Sequence, residues 1–294
     1  MSEKPYKGTK KTIIITTFAR SFTRRLISYR ILIVLIKKML SKNKIKYLHS
    51  LKSKKFRDAE GVFVAEGPKV VGDIFAYYPS NLILLIATSE WLHREGKTLS
   101  TATNCEIIEV TEEELTKASF LCHPQQVLGV FKKQNNCVDI NMLTTKLTLV
   151  LDGVQDPGNL GTIIRIADWF GIENIVCSGD TADVYNPKVV QATMGSIARV
   201  NVVYMNLPEL FDSLPTNIPI YGTLLGGDNI YEQALSDVGL IIMGNEGKGI
   251  SPTIRKYINC ALRIPNYPEG RDTADSLNVA IATSIVCAEF RRRF

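Results

Sequence analysis

Cysteine, histidine and tryptophan are scarce in this chain: six, three and two among 294 residues. The cysteines (Cys105, Cys122, Cys137, Cys177, Cys260 and Cys287) stand singly, with no CxxC pair. That excludes a disulfide scaffold and, with so few histidines, a structural zinc site; no metal is expected. Scattered thiols of this kind read as reduced cysteines of a cytoplasmic protein. No apolar run reaches the roughly 18 residues that span a bilayer. Both glycine-rich nucleotide fingerprints are missing as well. Gly244-Asn-Glu-Gly-Lys-Gly249 lacks the Walker pattern, because Lys248 is followed by glycine, and no GxGxxG occurs. What is present is ordinary globular composition, 45% hydrophobic and 22% charged, at a length that suggests about two domains.

The net charge of +6 hides an asymmetry. Residues 1–57 hold 17 Lys/Arg against the single acid Glu3, and the remainder holds 18 basic and 28 acidic residues. Contact with a polyanion is therefore concentrated near the start of the chain or in local pockets. Residues 1–38 differ from the rest, pairing Arg24, Arg25 and Arg30 with the apolar Ile31-Leu-Ile-Val-Leu-Ile36. A secretory signal is disfavoured by the short run and the lack of a small-residue cleavage site. A transit segment fits the arginines and the near absence of acids. Our expectation is an extension, not native or disordered, upstream of a start at Met39, because the globular pattern begins at Leu40.

Residues 41–133 read as a small α/β domain. Lys42, Lys44, Lys46, Lys52, Lys54, Lys55 and Arg57 crowd one stretch without an acid. Ile45, Leu48 and Leu51 at helical spacing predict one amphipathic helix with a basic outer face. Such a face is either solvated or phosphate-contacting. A strand over 61–67, a helix over Pro68–Tyr78, a strand at Leu82–Thr88, a helix at Glu113–Ala118 and a strand at Gln126–Phe131 follow. His123 reads as a loop residue rather than a catalyst, and Cys122 beside it forms no metal pair. The polar stretch 134–145 serves as a linker.

Residues 146–294 are more regularly punctuated. Strands are expected at Leu147–Leu151, Asn174–Cys177, Arg199–Met205, Ile218–Leu225, Leu240–Gly244 and Cys260–Ile264. Helices are expected from Asn159, as N-cap, to Phe170, from Asn186-Pro187, and over Ser276–Arg292. The alternation predicts a parallel sheet covered on both faces, with ligands beyond the C-terminal strand ends. Three strand ends are loaded: Asp152 to Arg165, Met243-Gly-Asn-Glu-Gly-Lys-Gly-Ile-Ser251, and Ile264-Pro265 followed, after an excursion, by Ser276-Leu-Asn-Val279. Glycines 244, 247 and 249 permit close backbone approach. Their turns suit an adenine and ribose, with Met243, Ile264 and Leu277 around the base. Arg165 is either an exposed helix arginine or a bidentate phosphate contact. Asn159, Glu246 and Asn278 suit capping and turn roles as well as a site.

Together the three strand ends resemble the motifs of the TrmH (SpoU) family of RNA 2′-O-ribose methyltransferases, in the SPOUT superfamily. Asp156, Pro157, Asn159, Gly161, Ile163 and Arg165 match the first motif. Gly244, Glu246, Gly247 and Gly249 match the second, and Ile264, Pro265, Ser276, Leu277, Asn278 and Val279 the third. Phe63-Val-Ala-Glu-Gly67 resembles the opening of the family's RNA-binding domain, a ribosomal-protein-like fold. The resemblance implies a C-terminal trefoil knot, an exception to unknotted topology. It implies S-adenosylmethionine held by Met243, Gly244, Gly247, Ile264 and Leu277, and a homodimer with the site near its interface. It also implies a catalytic set of Arg165, Asn159, Glu246, Ser276 and Asn278. Departures are the longer Tyr267–Asp272 excursion, Asp275, and Gln191-Ala-Thr193 where relatives commonly have Arg-Ala-Ser.

The expected reaction is methyl transfer to a ribose 2′-OH of structured RNA, with ribosomal RNA favoured and transfer RNA the other candidate. A hydroxyl that DNA lacks makes RNA the partner, and the basic 42–57 face gains weight as a phosphate-tracking surface. The competing expectation is a non-catalytic RNA-binding or ribosome-assembly protein that keeps the fold; affinity for S-adenosylmethionine separates the two. A small-nucleoside enzyme is disfavoured by the basic N-terminal stretch.

Overall fold

The computed structural model describes residues 40–99, 105–268 and 271–292. The expectations for residues 1–38 lie outside the described residues, as do two residues of the 267–272 excursion. Among the described residues no helix is long and apolar enough to cross a membrane.

The basic stretch makes two helices, not one. Helix α1 (Lys42–Ser50) starts where the Ser41 side chain accepts from the amide of Lys44. Helix α2 (Lys54–Glu60) ends on Gly61 in the left-handed conformation. The break between them is tied by Arg57, whose Nη1 donates to the carbonyls of Leu51 (2.9 Å) and Lys52 (2.7 Å). Its Nη2 donates to Asp183 Oδ2 at 2.6 Å. Arg57 is 1% exposed, which corrects its expected place on an RNA-facing surface. Lys42, Lys46, Lys52, Lys54 and Lys55 are exposed. Lys44 pairs with Glu106 at 2.7 Å, Lys54 with Asp58 at 2.6 Å, and Lys52 lies over the Phe120 ring.

The rest of the first unit is β1 (Val62–Glu66), α3 (Pro68–Tyr77), β2 (Leu82–Thr88), α4 (Ser89–Leu99), β3 (Glu106–Val110), α5 (Glu112–Ala118) and β4 (Val127–Lys132). The strand order is β1-β4-β2-β3, with β4 antiparallel to both neighbours and β3 parallel to β2. Helix α4 and strand β3 escaped the sequence reading. Strand β3 is an edge strand with acids at 106 and 109 and only Ile108 and Val110 buried, so its apolar run is too short to announce itself. One sheet face packs on α3 through Val70, Val71, Ile74 and Phe75, the other on α1 and α5 through Leu48, Leu51 and Leu115.

After α6 (Ile140–Leu143), inside the expected linker, the second unit opens with β5 (Leu147–Asp152) and α7 (Pro157–Trp169). Then come β6 (Asn174–Cys177), α8 (Pro187–Ala192), β7 (Asn201–Tyr204), α9 (Leu207–Ser213) and β8 (Ile220–Asn229). Strand β9 (Gly239–Gly244), α10 (Pro252–Arg255), β10 (Cys260–Arg263) and α11 (Val279–Arg292) complete it. The six strands run parallel in the order β10-β8-β9-β5-β6-β7. Helices α7, α8 and α11 cover one face and α6, α9 and α10 the other. This is the two-sided cover expected for a parallel sheet.

Two boundary shifts matter. The N-cap of α7 is Asp156, not Asn159: its carboxylate accepts from the Asn159 amide at 2.8 Å, and Pro157 fills the first helical position. Helix α11 starts at Val279, capped by Asn278 Oδ1, which accepts from the amides of Ala280 (2.9 Å) and Ile281 (3.3 Å). The first shift moves Asn159 into the first turn of α7, and the second leaves Ser276, Leu277 and Asn278 ahead of α11.

The two units share buried apolar contact. Val190 and Ala198 join the core built by Phe63, Val71 and Ile74, and the Phe63 and Tyr185 rings lie 4.8 Å apart. Arg57–Asp183 flanks this contact, with Asp183 only 14% exposed at its side chain. Replacing Arg57 by alanine strands that carboxylate and the two carbonyls, so unfolding stability is expected to fall by about 3 kcal/mol. Urea unfolding followed by circular dichroism measures it; a loss below about 1 kcal/mol would reduce the pair to a surface contact.

Candidate functional site

The C-terminal ends of β5, β8, β9 and β10 open on one side of the sheet, and the loops that leave them are cross-linked. The loop after β9 closes on itself: Asn245 and Gly249 exchange backbone hydrogen bonds of 3.0 and 2.9 Å. Asn245 Oδ1 accepts from the amides of Gly247 (3.0 Å) and Lys248 (3.1 Å). Its Nδ2 donates to the Gly153 carbonyl at 2.7 Å, and Asp152 Oδ2 accepts from the Ser251 amide at 2.7 Å. The loops after β5 and β9 are thereby held as one piece. A side chain at position 244 would collide with this closure, since an added Cβ would lie 2.3 Å from Gly249 C and Ile250 N.

The three predicted motifs meet in a relay of amides. Asn159 Nδ2 donates to Glu246 Oε1 at 3.0 Å, and Asn278 Nδ2 donates to Asn159 Oδ1 at 2.9 Å. The polarity follows from chemistry: an ionised Glu246 only accepts, so Asn159 turns its NH₂ toward it and offers its oxygen to Asn278. Asn278 in turn caps α11. The relay binds β9's loop, the start of α7 and the start of α11 to each other.

Beside the relay lies a cleft of about 340 Å³. Met243, Gly244, Gly247, Ile264 and Leu277, the five residues expected around a cofactor, all line it. Glu246 and Ser276 line it too, while Asn159 and Asn278 reach it only through the relay. Arg165 is not on the cleft wall. It is exposed on α7, six residues and about 9 Å of helix beyond Asn159, and no hydrogen bond or ion pair of its side chain occurs among the described residues.

The sequence reading missed a fourth contributor. Thr223, Leu224 and Leu225 of β8 form part of the wall, and Leu225 is 78% exposed. Pairing of β8 with β10 jumps from Gly222↔Ala261 to Asp228↔Leu262, so residues 223–227 swing out of register. The Gly226-Gly227 pair was the available signal. The wall is apolar at Met243, Ile264, Leu277 and Leu262, carries backbone groups of the glycine loop, and bears both acids (Glu246, Asp275) and bases (Lys248, Arg255, Arg263). That set suits a flat base and sugar whose attached group carries charges of both signs. No cluster of His, Cys, Asp and Glu able to hold a metal occurs among the described residues.

Comparison with known proteins gives a consistent answer. The SpoU rRNA methylase family matches residues 146–288, and the MRM3-like substrate binding domain matches residues 42–129. A 23S rRNA (guanosine-2′-O)-methyltransferase of Bacillus subtilis is 31% identical over 250 residues, 84% of this chain and 96% of that protein. A solved structure from Porphyromonas gingivalis, assigned to the TrmH family, is 39% identical with a TM-score of 0.76, covering 87% of this chain and all of that one. An rRNA methyltransferase of Sinorhizobium meliloti, solved with S-adenosylmethionine bound, is 28% identical with a TM-score of 0.76, covering 87% and 98%.

Proposed function

The chain belongs to the SpoU rRNA methylase family, and from that premise we propose that it transfers a methyl group from S-adenosylmethionine to a ribose 2′-hydroxyl of ribosomal RNA. The observation that carries the reading is the relay Glu246–Asn159–Asn278, which closes three strand-end loops around a glycine-lined cleft. The names of the Bacillus and Sinorhizobium relatives support the substrate and the cofactor.

The residues present fit the cofactor: Met243, Ile264 and Leu277 supply apolar walls, and the lack of a side chain at Gly244 lets the glycine loop close beside them. S-adenosylmethionine, when bound, supplies a methyl carbon made electrophilic by a sulfonium. Everything else falls to the chain. Asn159 and Asn278 hold Glu246 so that its carboxylate faces the cleft in one orientation. Arg165 donates to the acceptor 2′-oxygen, stabilises the negative charge that grows there as the proton leaves, and holds the adjoining phosphate. It works as a donor rather than a simple base, because a guanidinium stays protonated. Ser276 borders the site of transfer. Alignment of oxygen, carbon and sulfur supplies the rest of the rate.

Residues 41–133 act in this reading as the RNA-binding domain, 134–145 as the linker and 146–294 as the methyltransferase domain. The exposed Lys42, Lys46, Lys52 and Lys55 track phosphates, with Lys44 and Lys54 engaged by acids when RNA is absent. The C-terminal chain is tied in a trefoil knot; the strand order, with β8 between β10 and β9, supports this. Two copies pair through the apolar surface left on α7 and α11, where Trp169 is 85% and Ile281 54% exposed. Six unpaired cysteines agree with action in the cytoplasm.

The test is methyl transfer from radiolabelled S-adenosylmethionine into unmodified ribosomal RNA, followed by digestion to nucleosides. Label is expected in one 2′-O-methyl nucleoside. Label on a base, or none despite measurable cofactor binding, would sink the proposal.

A further inference from the structure

Arg199 bonds to both units at once. Its Nε donates to Asp168 Oδ1 and Oδ2 at 3.1 and 2.9 Å, and its Nη2 to Asp168 Oδ2 at 2.7 Å. Its Nη1 donates to Asp73 Oδ2 at 3.1 Å. Asp168 lies on α7, three residues beyond Arg165, and Asp73 lies on α3 of the first unit. Ser196 adds a hydrogen bond to Asp168 (2.7 Å), Lys69 one to Asp73 (2.5 Å), and the guanidinium sits over the Tyr77 ring. Burial pushes the Asp168 carboxyl up, but the hydrogen bonds from Arg199 and Ser196 outweigh it and hold the carboxyl below its ordinary range.

The backbone is shaped to deliver this contact. Met194 and Gly195 both take positive φ, 50° and 95°. A Cβ on Gly195 would lie 2.5 Å from Asp73 Oδ2, so the turn abuts α3 with no room for a side chain. Arg57–Asp183 and the Phe63–Tyr185 contact hold the two units at other points, leaving little freedom between them. Asn159 lies in the first turn of the same helix, which ends one residue past Asp168. A helix of 13 residues is about 20 Å long, and a shift of its C-terminal end displaces Arg165. A displacement of about 1 Å is worth up to about 10²-fold in rate.

We propose that Arg199 is a positioning residue: by joining Asp73 to Asp168 it fixes the first unit's RNA-holding surface at a set distance from Arg165, and so selects which nucleotide receives the methyl group. The proposal rests on the reading of the chain as an RNA methyltransferase. A single guanidinium shared by carboxylates from two units has the geometry of a brace, and Arg is the side chain whose planar fork spans two such partners.

The test uses the full chain and an unmodified transcript of large-subunit ribosomal RNA, with Asp73→Asn, Arg199→Lys and Arg199→Gln. Asp73→Asn removes the carboxylate charge that pairs with Arg199 across the units, leaving only a neutral acceptor, and leaves Arg199–Asp168 intact. Five quantities are read: kcat, KM for RNA, calorimetric affinity for S-adenosylhomocysteine, the thermal midpoint, and the map of methylated nucleotides. For Asp73→Asn and Arg199→Lys we expect kcat to fall about tenfold or more. RNA KM and S-adenosylhomocysteine affinity stay within about threefold, and methylation spreads to neighbouring nucleotides. Wild-type kcat and a single methylated nucleotide in Asp73→Asn would overturn the proposal. So would a parallel loss of kcat, RNA binding, S-adenosylhomocysteine affinity and thermal midpoint, which marks a folding role alone. Wild-type protein that binds S-adenosylhomocysteine but transfers no methyl would overturn the functional reading itself, and the brace with it.

Discussion

Arg165→Ala is expected to lower methyl transfer by about 10²–10³-fold while S-adenosylhomocysteine binding stays within about twofold. The two halves of that expectation come from different observations. Arg165 is exposed on α7 and absent from the cleft wall, so its loss removes nothing from the cleft proposed to hold the cofactor. No partner engages its side chain among the described residues, so its loss leaves no stranded buried charge and costs little stability. In the proposed mechanism it removes a charged donor to an oxygen that becomes negative only as the reaction proceeds, and such donors act on kcat more than on KM. Arg165→Lys keeps the charge but not the fork, and is expected to recover only part of the rate. Single-turnover rates at saturating cofactor, with calorimetry of S-adenosylhomocysteine, read both halves. A tenfold loss of cofactor affinity would place Arg165 in the cofactor site instead.

How much of this was legible in the sequence differs between the two units. In the second unit every strand was found, because a parallel sheet buried on both faces writes its strands as apolar runs such as Leu147-Thr-Leu-Val-Leu151 and Leu240-Ile-Ile-Met243. The cleft-lining Gly244 and Gly247 were legible for a related reason: glycines at the end of such a run permit close backbone approach. Arg57 was not legible. A basic residue in a basic stretch looks solvated, and its burial depends on Asp183, 126 positions away. The break of the basic helix at Leu51–Ser53 was hidden for the same reason, since Arg57 itself satisfies the carbonyls that the break exposes. Asn159 was placed in the right region but given the wrong task. It read as an N-cap because Asn favours that position, yet Asp156 caps α7, and this frees the Asn159 amide for Glu246. The wall from β8 was invisible because a five-residue slip of register has no signature in hydrophobic periodicity.

Gly244→Ala is expected to abolish cofactor binding, with a loss beyond about 100-fold, and to lower the thermal midpoint as well. The added methyl would meet the Gly249–Ile250 peptide bond, 2.3 Å from both its carbon and its nitrogen, and backbone cannot rotate away as a side chain can. Relief requires opening the Asn245–Gly249 closure, which in turn loosens the Asn245–Gly153 and Ser251–Asp152 bonds that join it to the loop after β5. Each of those bonds is worth about 1 kcal/mol, so the damage spreads across the cleft mouth rather than staying at one residue. Gly247 provides the control. It lines the same cleft, but its added Cβ would meet only Asn245 Oδ1, at 3.8 Å, and its φ is not in the left-handed region. Gly247→Ala is therefore expected to cost less than about tenfold in affinity and little in stability. Both variants carry the same extra methyl on the same loop, so calorimetry of S-adenosylhomocysteine with the two side by side separates loop closure from simple crowding of the cleft. Equal losses would mean that the ligand itself fills the space over Gly247. Retained binding in Gly244→Ala would mean that the loop yields where this geometry leaves it no room.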